Sequence, residues 1–294
     1  MIPDRGALWG HAAGLAFAVI ISVSFTLGGL MADRIDPAAL TAGRFLLAAV
    51  VIGVLAVPLL RRAHLAAIWR YGLLGGLLAG YFILMFTSLR IADPISTGAI
   101  FTLTPVMSAV FGWILLRQVT TGVMATSLAL AALGAIWVTF RGDLQAILGL
   151  AFGPGERLFL LGCAMHAFYT PLVRRLSRGE PVVVLTFGTI LGGCLVAGSW
   201  GGRAILQTDW LALPGIVWVA LIYLGVMATA CTFFLLQFAA MRLPASKAMA
   251  YGYLVPSFVI LWEGLLGHGW VAGAVWLGVA ATIGALMMLL VSEG

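Results

Sequence analysis

His166, Tyr169 and Thr170 lie three and four residues apart within one apolar run, so a helix would carry all three on one face. Imidazole, phenol and hydroxyl together can hydrogen-bond a polar solute, and the imidazole titrates near neutral pH. Pro171 follows directly, and a helix carrying this face is expected to kink there. Tyr81 stands in the middle of another apolar run, and Ser22, Ser24 and Thr26 alternate along a third. Polar groups so deep in apolar sequence are costly, and two roles fit each. His166 either lines a solute-binding surface, with a proton as candidate coupling ion, or bonds a neighbouring helix as a packed histidine. Tyr81 either faces the same cavity or is a packed aromatic with its hydroxyl satisfied. The alternating hydroxyls either line a pore or bond back to their own helix. The substrate-binding candidates are therefore His166, Tyr169, Tyr81, Thr170 and Ser24. Tyr251 and Tyr253 fall two apart, so one of them at most joins that face.

Other chemistries lack their residues. The four histidines, His11, His64, His166 and His268, are scattered, and no HExxH occurs. Cys163, Cys194 and Cys231 sit singly inside apolar runs, the pattern of small core residues. No GxxxxGK[ST] loop and no carboxylate pair within one run is present. The reading is of a protein with no enzyme chemistry, no metal and no cofactor. Arg44 lies inside an apolar run and is expected to snorkel outward to Asp33 or Asp36; Lys247 is expected to snorkel likewise. Glu263 reads as an interfacial carboxylate, with a proton site as the alternative.

The elements that position these residues follow from composition. Of 294 residues, 63% are hydrophobic and only 9% charged, against roughly 25% charged in soluble domains. Lipid must solvate much of this surface. The net charge of +6 sits in short clusters between apolar runs, which is the pattern of membrane-flanking loops and not of a nucleic-acid surface. A span needs about twenty apolar residues. Ten candidates are Ala7–Leu30, Ala38–Leu60, Trp69–Leu89, Pro94–Leu116, Thr121–Phe140, Arg157–Val173, Pro181–Trp200, Pro214–Ala240, Pro244–Leu266 and Trp270–Val291. The first is too long for a signal-peptide core and reads as an uncleaved helix. Gly72, Gly76 and Gly80 recur every fourth residue, a spacing for close helix contact.

Orientation follows from the basic residues. Arg5, Arg61, Arg62, Arg70, Arg117, Arg174, Arg175, Arg178, Arg242 and Lys247 fall on one side of this topology. Only Arg34, Arg90, Arg141, Arg157 and Arg203 fall on the other. Both termini are thus expected in the cytoplasm, in a cell inner (plasma) membrane. The chain also repeats itself. Pro94 and Pro244 open the fourth and ninth spans, and Pro105 and Pro256 lie midway along them, where kinks are expected. Five spans per half is an odd number, so the halves, residues 1–145 and 146–294, must be inverted. The loop charges invert with them: Arg34 faces Arg174, Arg175 and Arg178, while Arg61, Arg62 and Arg70 face Arg203. Inverted repeats place a substrate site near the midplane between halves, which favours alternating access over a channel.

Several local runs, in order and spacing, resemble the drug/metabolite transporter superfamily in its ten-helix EamA-type branch. Asp36-Pro37-Ala38 leading to Arg44-Phe45-Leu46-Leu47 is similar to the family's second-helix entry with its arginine. Leu89-Arg90-Ile91-Ala92 and the run to Pro105 resemble its third-to-fourth helix signature. Ala167-Phe168-Tyr169 before Val173-Arg174-Arg175-Leu176 resembles the end of its sixth helix. The family's Glu after the fourth helix is absent, where this chain reads Leu115-Leu116-Arg117-Gln118, and Gly267-His268-Gly269 stands where a second is expected. The resemblance implies an all-α membrane protein of two inverted five-helix repeats and a secondary transporter. Bacterial amino-acid exporters are the most similar branch. The cavity residues agree with small neutral or zwitterionic solutes such as amino acids; a facilitator channel or multidrug efflux protein is the alternative. Cysteine-accessibility labelling at position 177, in a background without cysteine, is expected to show Ser177 reachable only from the cytoplasm. Labelling from outside intact cells would reverse the orientation.

Overall fold

The computed structural model describes residues 5–119, 121–148 and 152–291. Ten helical rods run up and down, and no strand occurs among the described residues. The first three are α1 (Arg5–Met31), α2 (Pro37–Ala56) and α3 (Trp69–Ser88). The fourth span is split into α4 (Pro94–Phe101) and α5 (Thr104–Leu116), and the fifth is α6 (Gly122–Thr139). A short helix, α7 (Leu144–Leu148), precedes the sixth and seventh, α8 (Pro154–Leu176) and α9 (Val182–Gln207). The eighth is α10 (Gly215–Gly225), a π turn (Val226–Cys231) and α11 (Thr232–Ala240). The ninth is α12 (Ala245–Ala250), a 3-10 turn (Tyr251–Leu254) and α13 (Val255–Leu265); α14 (Val275–Val291) is the tenth. Eight rods are long and apolar enough to cross a bilayer. Charges at both ends of α8 (Glu156, Arg157, Arg174, Arg175) and the 17-residue length of α14 separate the other two from them. The protein is a multi-pass membrane protein of ten helices. The ends of the expected repeats, Met1 and Gly294, lie outside the described residues.

Local chemistry sets the helix boundaries. Asp36 accepts hydrogen bonds from the Ala38 and Ala39 amides and Asp93 from those of Ile95 and Ser96, with Pro37 and Pro94 in the first turns. The breaks in the fourth and ninth spans both fall just before a proline. Pro105 has no N–H for the Phe101 carbonyl, and the Thr104 hydroxyl donates to that oxygen at 2.7 Å. Pro256 likewise cannot serve the Gly252 carbonyl, which accepts from the Val255 amide. Pro171, by contrast, sits inside α8 without interrupting it.

The spans pair in a repeating pattern. The third packs on the sixth and the eighth on the first; the third packs on the seventh and the eighth on the second. The α5–α8 and α13–α1 contacts form another such pair, as do α5–α12 and α13–α4. The second packs on the seventh and the fifth on the tenth. Each contact maps onto another, or onto itself, when every span is exchanged for the one five later.

Ion pairs close opposite ends of α3. At its start Arg70, counted above as a loop charge, is buried. It donates to Glu180 at 2.6 Å, to the Leu176 carbonyl at 2.8 Å and to the Tyr71 hydroxyl at 2.9 Å. Beyond its far end Arg141 pairs with Asp93 at 2.9 Å, and that pair is exposed.

The close α3–α9 contact uses a different glycine from those singled out by spacing. A Cβ at Gly75 would strike the backbone of Thr189, Gly192 and Gly193. A Cβ at Gly72 meets nothing within 4 Å, at Gly76 only the Val196 side chain, and at Gly80 the flexible end of Met165. The four-residue spacing marks the right helix, but the face in contact is rotated from it. Gly75→Val is expected to cost at least about 2 kcal/mol through overpacking. It should lower the thermal unfolding midpoint of the detergent-solubilised protein, while Gly72→Ala leaves it unchanged. Equal midpoints would refute this packing.

Candidate functional site

At mid-height the bundle is filled with rings from both halves. The His166 imidazole on α8 stacks on Tyr81 of α3, with centroids 4.5 Å apart and planes at 17°. Phe101, at the end of α4, lies 5.4 Å away and Phe17 of α1 6.2 Å away. Tyr169 lies one turn along α8, parallel to His166 at 6.4 Å. The periodicity that puts His166 and Tyr169 on one face therefore does bring them together, and Tyr81 with them. The ring cluster continues from Tyr81 to Phe82, tilted at 4.7 Å, and from Phe82 to Phe45, edge-on, and Phe233, stacked, at 6.0 Å each.

The polar atoms divide into satisfied and unsatisfied sets. Tyr169's hydroxyl accepts from the Gln237 side-chain amide at 2.7 Å. That amide also donates to Thr189 at 3.2 Å, and its oxygen accepts from Thr186 at 2.7 Å. The Thr170 hydroxyl turns back to the His166 carbonyl at 3.5 Å. In contrast His166 Nδ1, the Tyr81 hydroxyl and the Ser24 hydroxyl are buried without a hydrogen-bond partner. Ser24 lies two turns beyond Phe17 on α1 and bonds neither ring. Ser22, its neighbour in the alternating set, accepts from the Trp262 indole at 2.8 Å and donates to the Val19 carbonyl. Tyr253 is buried with its hydroxyl unpartnered, and Tyr251 packs on Gly14 and His11 of α1.

All five substrate-binding candidates are buried, His166 being 3% exposed. The rings close on one another, so the interior surface expected from the sequence is shut in this conformation. The open grooves lie elsewhere. One of about 660 Å³ runs beside α2, α9 and α10, lined by Leu46, Val50, Trp218 and other apolar side chains. Such walls suit lipid tails better than a polar solute.

Two expectations are corrected. Arg44 does not reach outward to Asp33 or Asp36, and Asp36 is already engaged in capping α2. The guanidinium points inward. Nε donates to the Thr229 hydroxyl at 2.7 Å and Nη2 to the Ala228 carbonyl at 2.5 Å. Its Cζ lies 3.8 Å from the Phe82 ring centroid. The reason is local: in the π turn the Thr232 amide bonds Met227, and the Ala228 oxygen is left for Arg44. Lys247, expected to snorkel, is 8% exposed. Glu263 is buried and holds His268 Nδ1 at 2.6 Å. Sequence reading missed Gln237 altogether. The argument applied to His166, a polar side chain deep in an apolar run, would have found it in Thr232-Phe233-Phe234-Leu235-Leu236-Gln237.

The sequence profile of the EamA-like transporter family matches residues 8–140 and again 153–291. A curated relative from Bacillus subtilis (strain 168), named "Uncharacterized transporter YyaM", is 23% identical over 252 residues, covering 82% of this chain and 81% of its own. A solved structure described only as the crystal structure of a protein superposes with a TM-score of 0.74 at 20% identity, covering 95% of both chains. That likeness shows the fold.

Gln237→Leu is expected to cost about 1–3 kcal/mol by stranding the Tyr169 hydroxyl. A double-mutant cycle with Tyr169→Phe, read by thermal unfolding, should show the pair losing less than the sum of the single variants. Strict additivity would mean that the hydrogen bond is not made.

Proposed function

The chain belongs to the EamA-like transporter family, and on that premise we propose that it is a secondary transporter that exports amino acids or similar neutral or zwitterionic metabolites by alternating access. The observation that carries this reading is the mid-bundle ring cluster. His166 from the second half is held among Phe17, Tyr81 and Phe101 from the first, and its Nδ1 and the Tyr81 hydroxyl lack partners. Unpaired polar groups are costly where lipid excludes water, and a solute that comes and goes would satisfy them. Aromatic faces suit apolar side chains, and the polar edges suit a zwitterion's head.

Alternating access is supported by the exchange symmetry of the helix pairings and by the matched breaks before Pro105 and Pro256. With five crossings per half, residues 1–145 and 146–294 form inverted repeats, and the ring cluster straddles their interface. Thr170 and Ser24 widen the site when the rings part. His166 is the candidate proton carrier. Its location is the inner membrane with both termini cytoplasmic, on the strength of the basic loops around Arg61 and Arg174.

Efflux of labelled amino acids from proteoliposomes, with and without a pH gradient, tests the reading. At least one amino acid is expected to leave faster than from protein-free vesicles. His166→Phe, which keeps the stacked ring and removes both nitrogens, should cut that rate by about tenfold or more, a single lost polar contact of about 1.4 kcal/mol, at unchanged thermal stability. Normal efflux by this variant would remove His166 from the site, and no efflux of any amino acid would overturn the reading.

A further inference from the structure

Arg44 is wholly buried, and its Nη1 has no hydrogen-bond partner. Among the described residues no carboxylate lies within 4.0 Å of it, and the ion pairs found there are Arg70–Glu180, Arg141–Asp93 and Glu263–His268. A guanidinium has five donors and no acceptor, so only an acceptor can satisfy Nη1, and an anion would also balance the charge. The rest of the head group is fixed. Thr229 and Ala228 hold Nε and Nη2, Phe82 covers the plane, and the Thr229 hydroxyl itself bonds the Leu224 carbonyl at 2.7 Å. The group is thus positioned rigidly, with Nη1 left over.

The guanidinium reaches the ring cluster through Phe82. Phe82, under the guanidinium, contacts Tyr81, and Tyr81 stacks on His166. The Tyr81 hydroxyl too is buried and unpartnered. A phenol can donate to an oxyanion alongside a guanidinium.

We infer that Arg44 Nη1 and the Tyr81 hydroxyl together form the anchor for a carboxylate on the transported solute. This rests on the transport reading above and narrows it: the solute must carry a carboxylate, with its remainder lying against the His166 rings.

The test uses the unmodified full chain, purified, with ligand-induced thermal shift and competition in proteoliposome counterflow. The probes are leucine, phenylalanine and threonine, each beside its methyl ester and its decarboxylated amine, with isovalerate and sodium chloride as further arms. Acids are expected to bind at least about tenfold more tightly than esters and amines, since these leave the buried guanidinium without its charged partner. Arg44→Gln should abolish that preference and Arg44→Lys keep part of it. Should Arg44→Gln fail to fold, the probe series on the unmodified chain decides alone. Esters competing as well as acids would overturn the anchor and leave amino-acid export standing. Isovalerate binding without amino acids would keep the anchor and overturn amino-acid export. A shift produced equally by chloride would reduce the site to a general anion site and overturn the carboxylate assignment. No shift or competition by any acid would overturn it as well.

Discussion

A bilayer interior supplies no water, so every interruption of a helix and every charge within this bundle must be satisfied by the protein itself. The structure meets that constraint one atom at a time. The Thr104 hydroxyl serves the Phe101 carbonyl that Pro105 leaves unpaired, and the Val255 amide serves Gly252 ahead of Pro256. Arg44 serves the Ala228 carbonyl left over by the π turn, and the Thr229 hydroxyl closes that turn onto Leu224. The accounting fails at several places, Ser88, Ser108 and Glu263 Oε1 among them; at His166 Nδ1, the Tyr81 hydroxyl and Arg44 Nη1 the residues concerned are joined by one run of contacting rings.

The halves are interleaved. The faces of α2 and α3 that would be exposed in the first half alone are covered by α8, α9 and α10 of the second. At Gly75 and Gly192 the backbones of α3 and α9 meet directly, with no side chain between them. Backbone contact of this kind tolerates no added methyl group, and it keeps Tyr81 and Arg70 on one rigid rod.

Span number and placement were legible in the sequence because hydropathy reports the solvent directly. The runs beginning at Trp69 and Pro94 became helices beginning at those residues. The meeting of His166 with Tyr169 was legible because a helix's 3.6-residue period fixes which residues share a face. What could not be read depends on partners distant in sequence. The direction of Arg44 is decided by a π turn some 185 positions away, and nothing in Val226–Cys231 announces that turn. Gly75 is chosen over Gly72, Gly76 and Gly80 by the rotation of α3 against α9, which hydropathy does not encode. Gln237 was missed for a different reason: the rule that finds it was at hand and was applied only to more reactive side chains. Whether the mid-bundle residues line a cavity or pack together was left open by the sequence, which carries no information on which conformation is populated.

The two ion pairs flanking α3 differ in how they meet the surrounding electrolyte. Arg70–Glu180 is sealed, with both side chains 1% exposed, whereas Arg141 and Asp93 are 67% and 38% exposed. Mobile counterions at physiological strength screen charges over about 8 Å of water and reach only the second pair. The two mouths of the bundle therefore respond unequally to salt. One clasp weakens as ionic strength rises and the other holds, so added salt loosens the bundle at one end of α3 and not at the other.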